Sequence, residues 1–301
     1  MIERYSYVEK IYTENDGVFA GLSLSENVNP GYRILRLLSG TCDFKDEYFS
    51  RVFKVRTNYL TMPRKKNSSL SRVTLLNQFP DEVNLDDLAK YFSNLKNNVE
   101  FYRLIEFELI NCLTSRAQER YLEAFIFLYR MLEGISYSIP LMYISKSKSF
   151  MSSFKSLQAA MPSSEKEGEL QLFKNFIDQH WNKKAFYKTT MDIDLEVIDV
   201  EEMRGVYFDL YKKLIPKGGI ESESEDEEIK IKFADFRGFL VSIRNRYFHF
   251  LQGAWQKNIE SGEIIFPDLF FKPLIDLGLN WIGISLFEVL VFDIDNSNIK
   301  S

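Results

Sequence analysis

Three residues able to act on a phosphodiester stand together in "SIRNRYFHF", residues 242–250: Arg244, Asn245 and His249. His249 is one of only two histidines in the chain. Histidine titrates near neutrality and can take a proton from a hydroxyl or return one to a leaving group. Arginine keeps its charge at any relevant pH, and its planar fork matches phosphate oxygens. A proton acceptor beside a fixed cation suits the cleavage of RNA. The nucleophile is RNA's own 2′-hydroxyl, so no metal-activated water is needed. The expected products are a 2′,3′-cyclic phosphate and a 5′-hydroxyl. Asn245, one turn before His249, can orient the imidazole or contact RNA. The plain alternative is a polar helix face that happens to carry a histidine.

These residues need a helix to position them. At about 100° per residue, Phe233, Phe236, Leu240, Ile243 and Tyr247 form one apolar stripe, the expected core face. Asn245 and His249, four apart, stack roughly opposite it. Arg244 falls at the border, about 140° around from His249. One arginine and one histidine are sparse for a complete site, and two-fold pairing of protomers would supply two of each. A homodimer with the two motif helices facing one another is therefore expected, with Phe248 and Phe250 available for the seam.

The rest of the chain supplies a scaffold. From residue 99 the pattern is helical, with Leu122, Phe125, Tyr129 and Leu132 recurring at helical spacing. Ser164 and Glu167 match a capping box. "VEEMRGVYFDLYKKL" reads as an amphipathic helix stopped by "IPKGG", and a last helix starts at Pro267. Residues 1–98 read as a smaller mixed α/β region. There "YSYVEKIY" and "VFAGLSLS" suggest two strands around "TENDG", and "RVFKVRTNYL" a further one. Asn84 caps a helix over "NLDDLAKYFSNL". The fold class expected is mainly α: a helical domain over 99–301 after an N-terminal mixed region over 1–98. The acidic run "ESESEDEE" is read as part of a solvated loop, 216–229.

Composition limits the choices. The 301 residues are 45% apolar and 15% aromatic, enough for a substantial core. A net charge of −5 gives no overall attraction to nucleic acid, so an RNA site must be a local patch. Cys42 and Cys112 lie seventy positions apart, and with two histidines they make no metal-ligand spacing. No metal or cofactor is expected. The first residues lack a signal-peptide pattern, and "LNWIGISLFEVLVFDID" is interrupted by acids and short for a bilayer. The expectation is a soluble cytoplasmic protein without membrane contact.

"RNRYFH" resembles the Arg, four-to-six residues, His motif of the HEPN superfamily, in the subtype with Asn after the Arg. The resemblance covers roughly residues 99–292 and implies a small helical bundle. It implies metal-independent RNA cleavage at a site formed where two such units meet. Many members are toxins or effectors of antiviral defence in bacteria, so the partners it implies are RNA, a second copy, and an antitoxin or a regulating ATPase or nucleotidyltransferase. Charged residues of another helix often accompany the motif. Arg130 and Glu133, in "LYRMLEGIS", are the candidates here. Two readings without chemistry stay open: a HEPN-like subunit that binds RNA or a partner without cutting, and a docking subunit for a separate enzyme.

Three weaker signals complete the inventory. Residues 51–80 carry seven basic residues and no acid. Arg51, Lys54, Arg56, Arg64, Lys65, Lys66 and Arg72 could track a phosphate backbone, with Phe53 or Tyr59 stacking on a base. A solvated basic loop is the equal alternative. His180, in "FIDQHWNKKAF", reads as a surface or partly packed histidine. Glu228-Ile229-Lys230 matches the Glu-x-Lys of restriction-type nuclease cores, which need it on a strand; beside the acidic run it reads as loop and is set aside.

Overall fold

The computed structural model describes residues 4–10, 22–24, 28–66, 79–146, 149–161, 169–225, 227–248, 258–260 and 262–296. The protein is mainly helical, with nine α-helices and three small antiparallel sheets among the described residues.

The N-terminal part comprises β1 (Tyr5–Glu9), α1 (Pro30–Leu38), β2 (Cys42–Asp46), β3 (Arg51–Phe53), β4 (Thr57–Asn58), β5 (Lys65–Lys66) and α2 (Leu85–Asn94). Among the described residues, strand β1 does not pair with 22–24, part of the strand 18–25 that the Asp-Gly turn suggested. It pairs with β2, placing Tyr7 opposite Phe44. The reason is apolar packing: Phe44, fully buried in the central strand, stacks on Phe53 at 5.1 Å and meets Tyr5 edge-on at 6.0 Å. Residues 22–24 are turn-like, and the "TENDG" segment lies outside the described residues. Asn84 caps α2 as expected; its side chain accepts from the Asp87 amide, and Asp87 reciprocates.

Helices α3 (Val99–Ala117) and α4 (Tyr121–Ser145) form an antiparallel pair. The helical pattern that runs on from residue 99 is broken here without Gly or Pro. Glu119 takes a left-handed φ of 59°, and the Arg120 amide donates back to the Ser115 carbonyl. The reversal lets two apolar faces meet. Next come α5 (Phe150–Ala160), α6 (Glu169–Trp181), a 3-10 turn, β6 (Thr190–Asp194) and α7 (Glu201–Leu214). The expected capping box at Ser164 and Glu167 lies outside the described residues.

The expected acidic loop over 216–229 is instead largely a hairpin. Strands β7 (Ile220–Ser224) and β8 (Glu228–Lys232) pair with each other, and β6 pairs with the other edge of β8. Ile229 and Ile231 are buried on the core face, while the acids turn outward. Lys212 and Lys232 offset part of that charge, meeting Glu223 and Glu221 at 2.6 and 3.7 Å. Period-2 alternation thus overrides the composition of the run.

Helix α8 (Phe233–Phe248) follows β8 directly, and α9 (Pro267–Asn296) closes the fold. Helix α9 is longer than the apolar stretch that marked it. It is long and apolar enough to cross a membrane, but 67% of its most apolar window is buried inside the protein. That burial is the pattern of a core helix in a soluble protein. The N-terminal part is tied to α9: Asn280 donates to the carbonyls of Tyr59 and Thr61 at 2.8 and 3.0 Å. Tyr91 donates to Asp293 at 2.5 Å from α2.

Candidate functional site

Helix α8 is anchored along its length before it reaches the motif. Phe233 stacks on Trp281, whose indole nitrogen donates to the Phe233 carbonyl at 3.1 Å. Phe236, Leu240 and Ile243 are buried, as the stripe required. Phe239 and Arg237 are buried too, so the core face is wider than the pattern suggested. Towards the C-terminal end Tyr247 packs edge-on against Phe271, and Phe248 lies parallel to Phe125 at 6.3 Å. The end of α8 is thereby fixed against the first turns of α4 and α9.

Arg244 leaves this helix at a half-buried position and turns towards α4. Its guanidinium carbon sits over the Tyr129 ring, 5.2 Å from the centroid. Its Nη2 lies 3.5 Å from Glu133 Oε1, and its Nη1 donates to Asn245 Oδ1 at 3.1 Å. A ring face, a carboxylate and an amide oxygen together hold the cation. Tyr129 is buried, and its hydroxyl has no hydrogen-bond partner among the described residues. Burial pushes that phenol up to about 12, against the opposing pull of Arg244. At any physiological pH Tyr129 is a neutral ring beneath a cation. His249, the next motif residue along, lies outside the described residues.

The remaining candidates divide. Glu133 reaches Arg244, whereas Arg130 turns to α3 and meets Glu108 at 2.7 Å. Arg51, Lys54, Arg56 and Lys65 are exposed. Phe53 and Val55 alternate with them on the buried side, so Lys54 and Arg56 share an outward face. Lys66 lies in β5. Arg72 lies outside the described residues. Arg64 is half-buried and leaves this exposed track. It helps line a cavity of about 240 Å³ with Arg116, Tyr121, Lys272 and Asp276. Tyr59 is buried with its hydroxyl on Asp276, so it is not a base-stacking platform. The chain matches no known protein family, curated protein or solved structure.

His180 sits on α6, packed against Tyr143 and Phe176 with ring centroids at 5.4 and 4.4 Å. Burial lowers its pKa. Tyr143 and Tyr129 are fourteen residues apart on α4, about 21 Å along the axis, so the surroundings of His180 and of Arg244 are separate. Glu228 and Lys230 do lie on a strand, contrary to the loop expectation. Lys230 is 3.3 Å from Glu228 and 4.0 Å from Asp192 across the sheet. Among the described residues, no three His, Cys, Asp or Glu side chains converge to hold a metal.

The Tyr129 contact was not singled out from sequence, where that residue belongs to a core stripe. The signal available was its position one turn before Glu133, already singled out for its charge.

Proposed function

We propose that this protein is a metal-independent endoribonuclease of the HEPN type, a toxin or antiviral-defence effector acting in the cytoplasm. His249 takes the proton of the 2′-hydroxyl, the 2′-oxygen bonds to phosphorus, and the 5′-oxygen leaves with a proton from the second histidine of a paired site. Arg244 neutralises the phosphorane oxygens as charge builds on them. Asn245 accepts from Arg244 and orients it.

The observation that carries this reading is the restraint on Arg244. A cation held by a ring face, a carboxylate and an amide on a surface-reaching helix end is preorganised for an anion. Exposed Arg51, Lys54, Arg56 and Lys65 add a basic surface on which RNA can be held. The N-terminal part is accordingly proposed as an RNA-binding or docking module.

The test is cleavage of labelled RNA by purified protein in EDTA, with the ends mapped. Cyclic-phosphate ends are expected, and Arg244→Ala and His249→Ala should each abolish them without changing helicity. RNA binding that survives with no cleavage would favour the non-catalytic subunit instead. Activity lost on chelation and restored by magnesium would overturn the mechanism.

A further inference from the structure

Helix α4 exposes a narrow stripe on the face that holds Arg244. Ile126, Arg130, Glu133, Tyr137 and Leu141 fall within an arc of about 80°. The apolar members are open to solvent: Ile126 is 41% exposed, Tyr137 48% and Leu141 59%. The charged pair is open as well, with side chains 58% and 47% exposed. Exposed Leu104 and Phe107 of the neighbouring α3 extend the apolar surface.

The order of these residues is self-complementary. Arg130 and Glu133 are placed symmetrically about a point between Met131 and Leu132. Ile126 and Tyr137 have the same centre, and so do Leu122 and Leu141. If a second α4 is laid antiparallel across the first on a two-fold axis through that point, Ile126 faces Tyr137 of the other copy. Arg130 then faces the other copy's Glu133. No like charges meet. A foreign partner would not require this internal symmetry, whereas an isologous contact does.

We infer that α4 is the contact between two copies of this chain, packed antiparallel about an axis between Met131 and Leu132. The placement fits the composite site on which the proposed ribonuclease activity rests. Glu133 lies about 2 Å along the helix from the axis, so the Arg244 side chains it holds in the two copies flank that axis. Burial of Ile126, Tyr137 and Leu141 supplies the affinity. The charges set the register: Glu108, Arg130, the second copy's Glu133 and its Arg244 alternate in sign across the seam.

Light scattering on the full chain should give a dimer mass. A short bis-maleimide should link two chains of the Ile126→Cys, Tyr137→Cys double variant. Either single variant should stay unlinked, because its equivalent positions lie about 16 Å apart along the seam. Native Cys42 and Cys112 are both fully buried, and burial pushes their thiols up, so they stay silent. Arg130→Glu or Glu133→Arg alone should give monomers of unchanged helicity, and the two together should restore the dimer. A monomeric wild type, a dimer indifferent to Arg130→Glu, or efficient linking of Ile126→Cys alone would overturn the interface. A dimer with this linkage pattern that leaves RNA intact overturns only the ribonuclease reading; an RNA-cleaving monomer overturns the interface, and the paired-histidine step with it, but not RNA cleavage itself.

Discussion

The guanidinium carbon of Arg244 lies 5.2 Å from the centroid of the Tyr129 ring, and Glu133, one helical turn further along α4, stands 3.5 Å from its Nη2. Residues 115 positions apart in sequence are thus joined by a cation–π contact, with an ion pair beside it. A side chain as long as arginine loses several rotamers when held this way, and the loss precedes any encounter with substrate.

Replacing the ring tests that relationship. A partly desolvated cation–π contact contributes about 0.5–2 kcal/mol, so Tyr129→Leu should slow RNA cleavage by roughly twofold to thirtyfold. Tyr129→Phe keeps the face and removes a buried hydroxyl without a partner, so cleavage should hold and the melting temperature should stay level or rise. Single-turnover rates and thermal melts separate the outcomes. Equal slowing in both variants would show that the hydroxyl, not the ring, matters.

Glu133 is half-exposed, so its ion pair contributes below about 1 kcal/mol to stability. Glu133→Gln should melt with the wild type yet cleave several-fold more slowly at low salt. That deficit should shrink near 1 M salt, where the screening length falls to about 3 Å. A deficit independent of salt would point to lost hydrogen-bond geometry rather than lost charge.

Gly283 allows α9 to touch the N-terminal part. A Cβ there would stand 2.6 Å from the Tyr59 carbonyl oxygen, a backbone atom held in place by Asn280. Gly283→Ala should therefore cost about 1–3 kcal/mol, read as a lower denaturant midpoint. Gly262→Ala, with nothing within 4 Å of its Cβ, is the control and should be silent. A silent Gly283→Ala would mean that the two parts separate at little cost.

Local rules made part of this legible. The cap at Asn84, the apolar stripe of α8 and the charge of Glu133 could each be read within a dozen residues, where helical periodicity and capping chemistry operate. The hairpin of β7 and β8 was hidden because acids dominate its composition, and only Ile220, Ile229 and Ile231 mark the alternation. The break at Glu119 carries no Gly or Pro, since the gain comes from packing α3 on α4. Arg130 and Glu133 look equivalent in "LYRMLEGIS", yet Arg130 is drawn to Glu108 and Glu133 to Arg244. That difference depends on which helices lie to either side, and no local pattern encodes it.

Asp276 offers the clearest dependence on pH. Burial alone would raise its carboxyl, but the Arg116 guanidinium, bonded to both oxygens, outweighs burial with help from the Tyr59 hydroxyl at 2.7 Å and from Arg64. The folded pKa is lowered, so the group contributes stability that is fully present above its unfolded value of about 3.9. That contribution is lost as pH falls through the folded value. Asp276→Asn leaves a half-buried guanidinium without its counter-charge and should cost about 1–3 kcal/mol at pH 7. The gap between wild type and variant in urea midpoint should hold steady from pH 7 to 5 and narrow only below about pH 4. Replacing both partners, as Arg116→Met with Asp276→Leu, should cost less than Asp276→Asn alone, because no half-buried charge is left without its partner. A gap that closes between pH 6 and 8 would place the titrating group elsewhere, and a double variant worse than the single would show that the pair is held for more than its own charge balance.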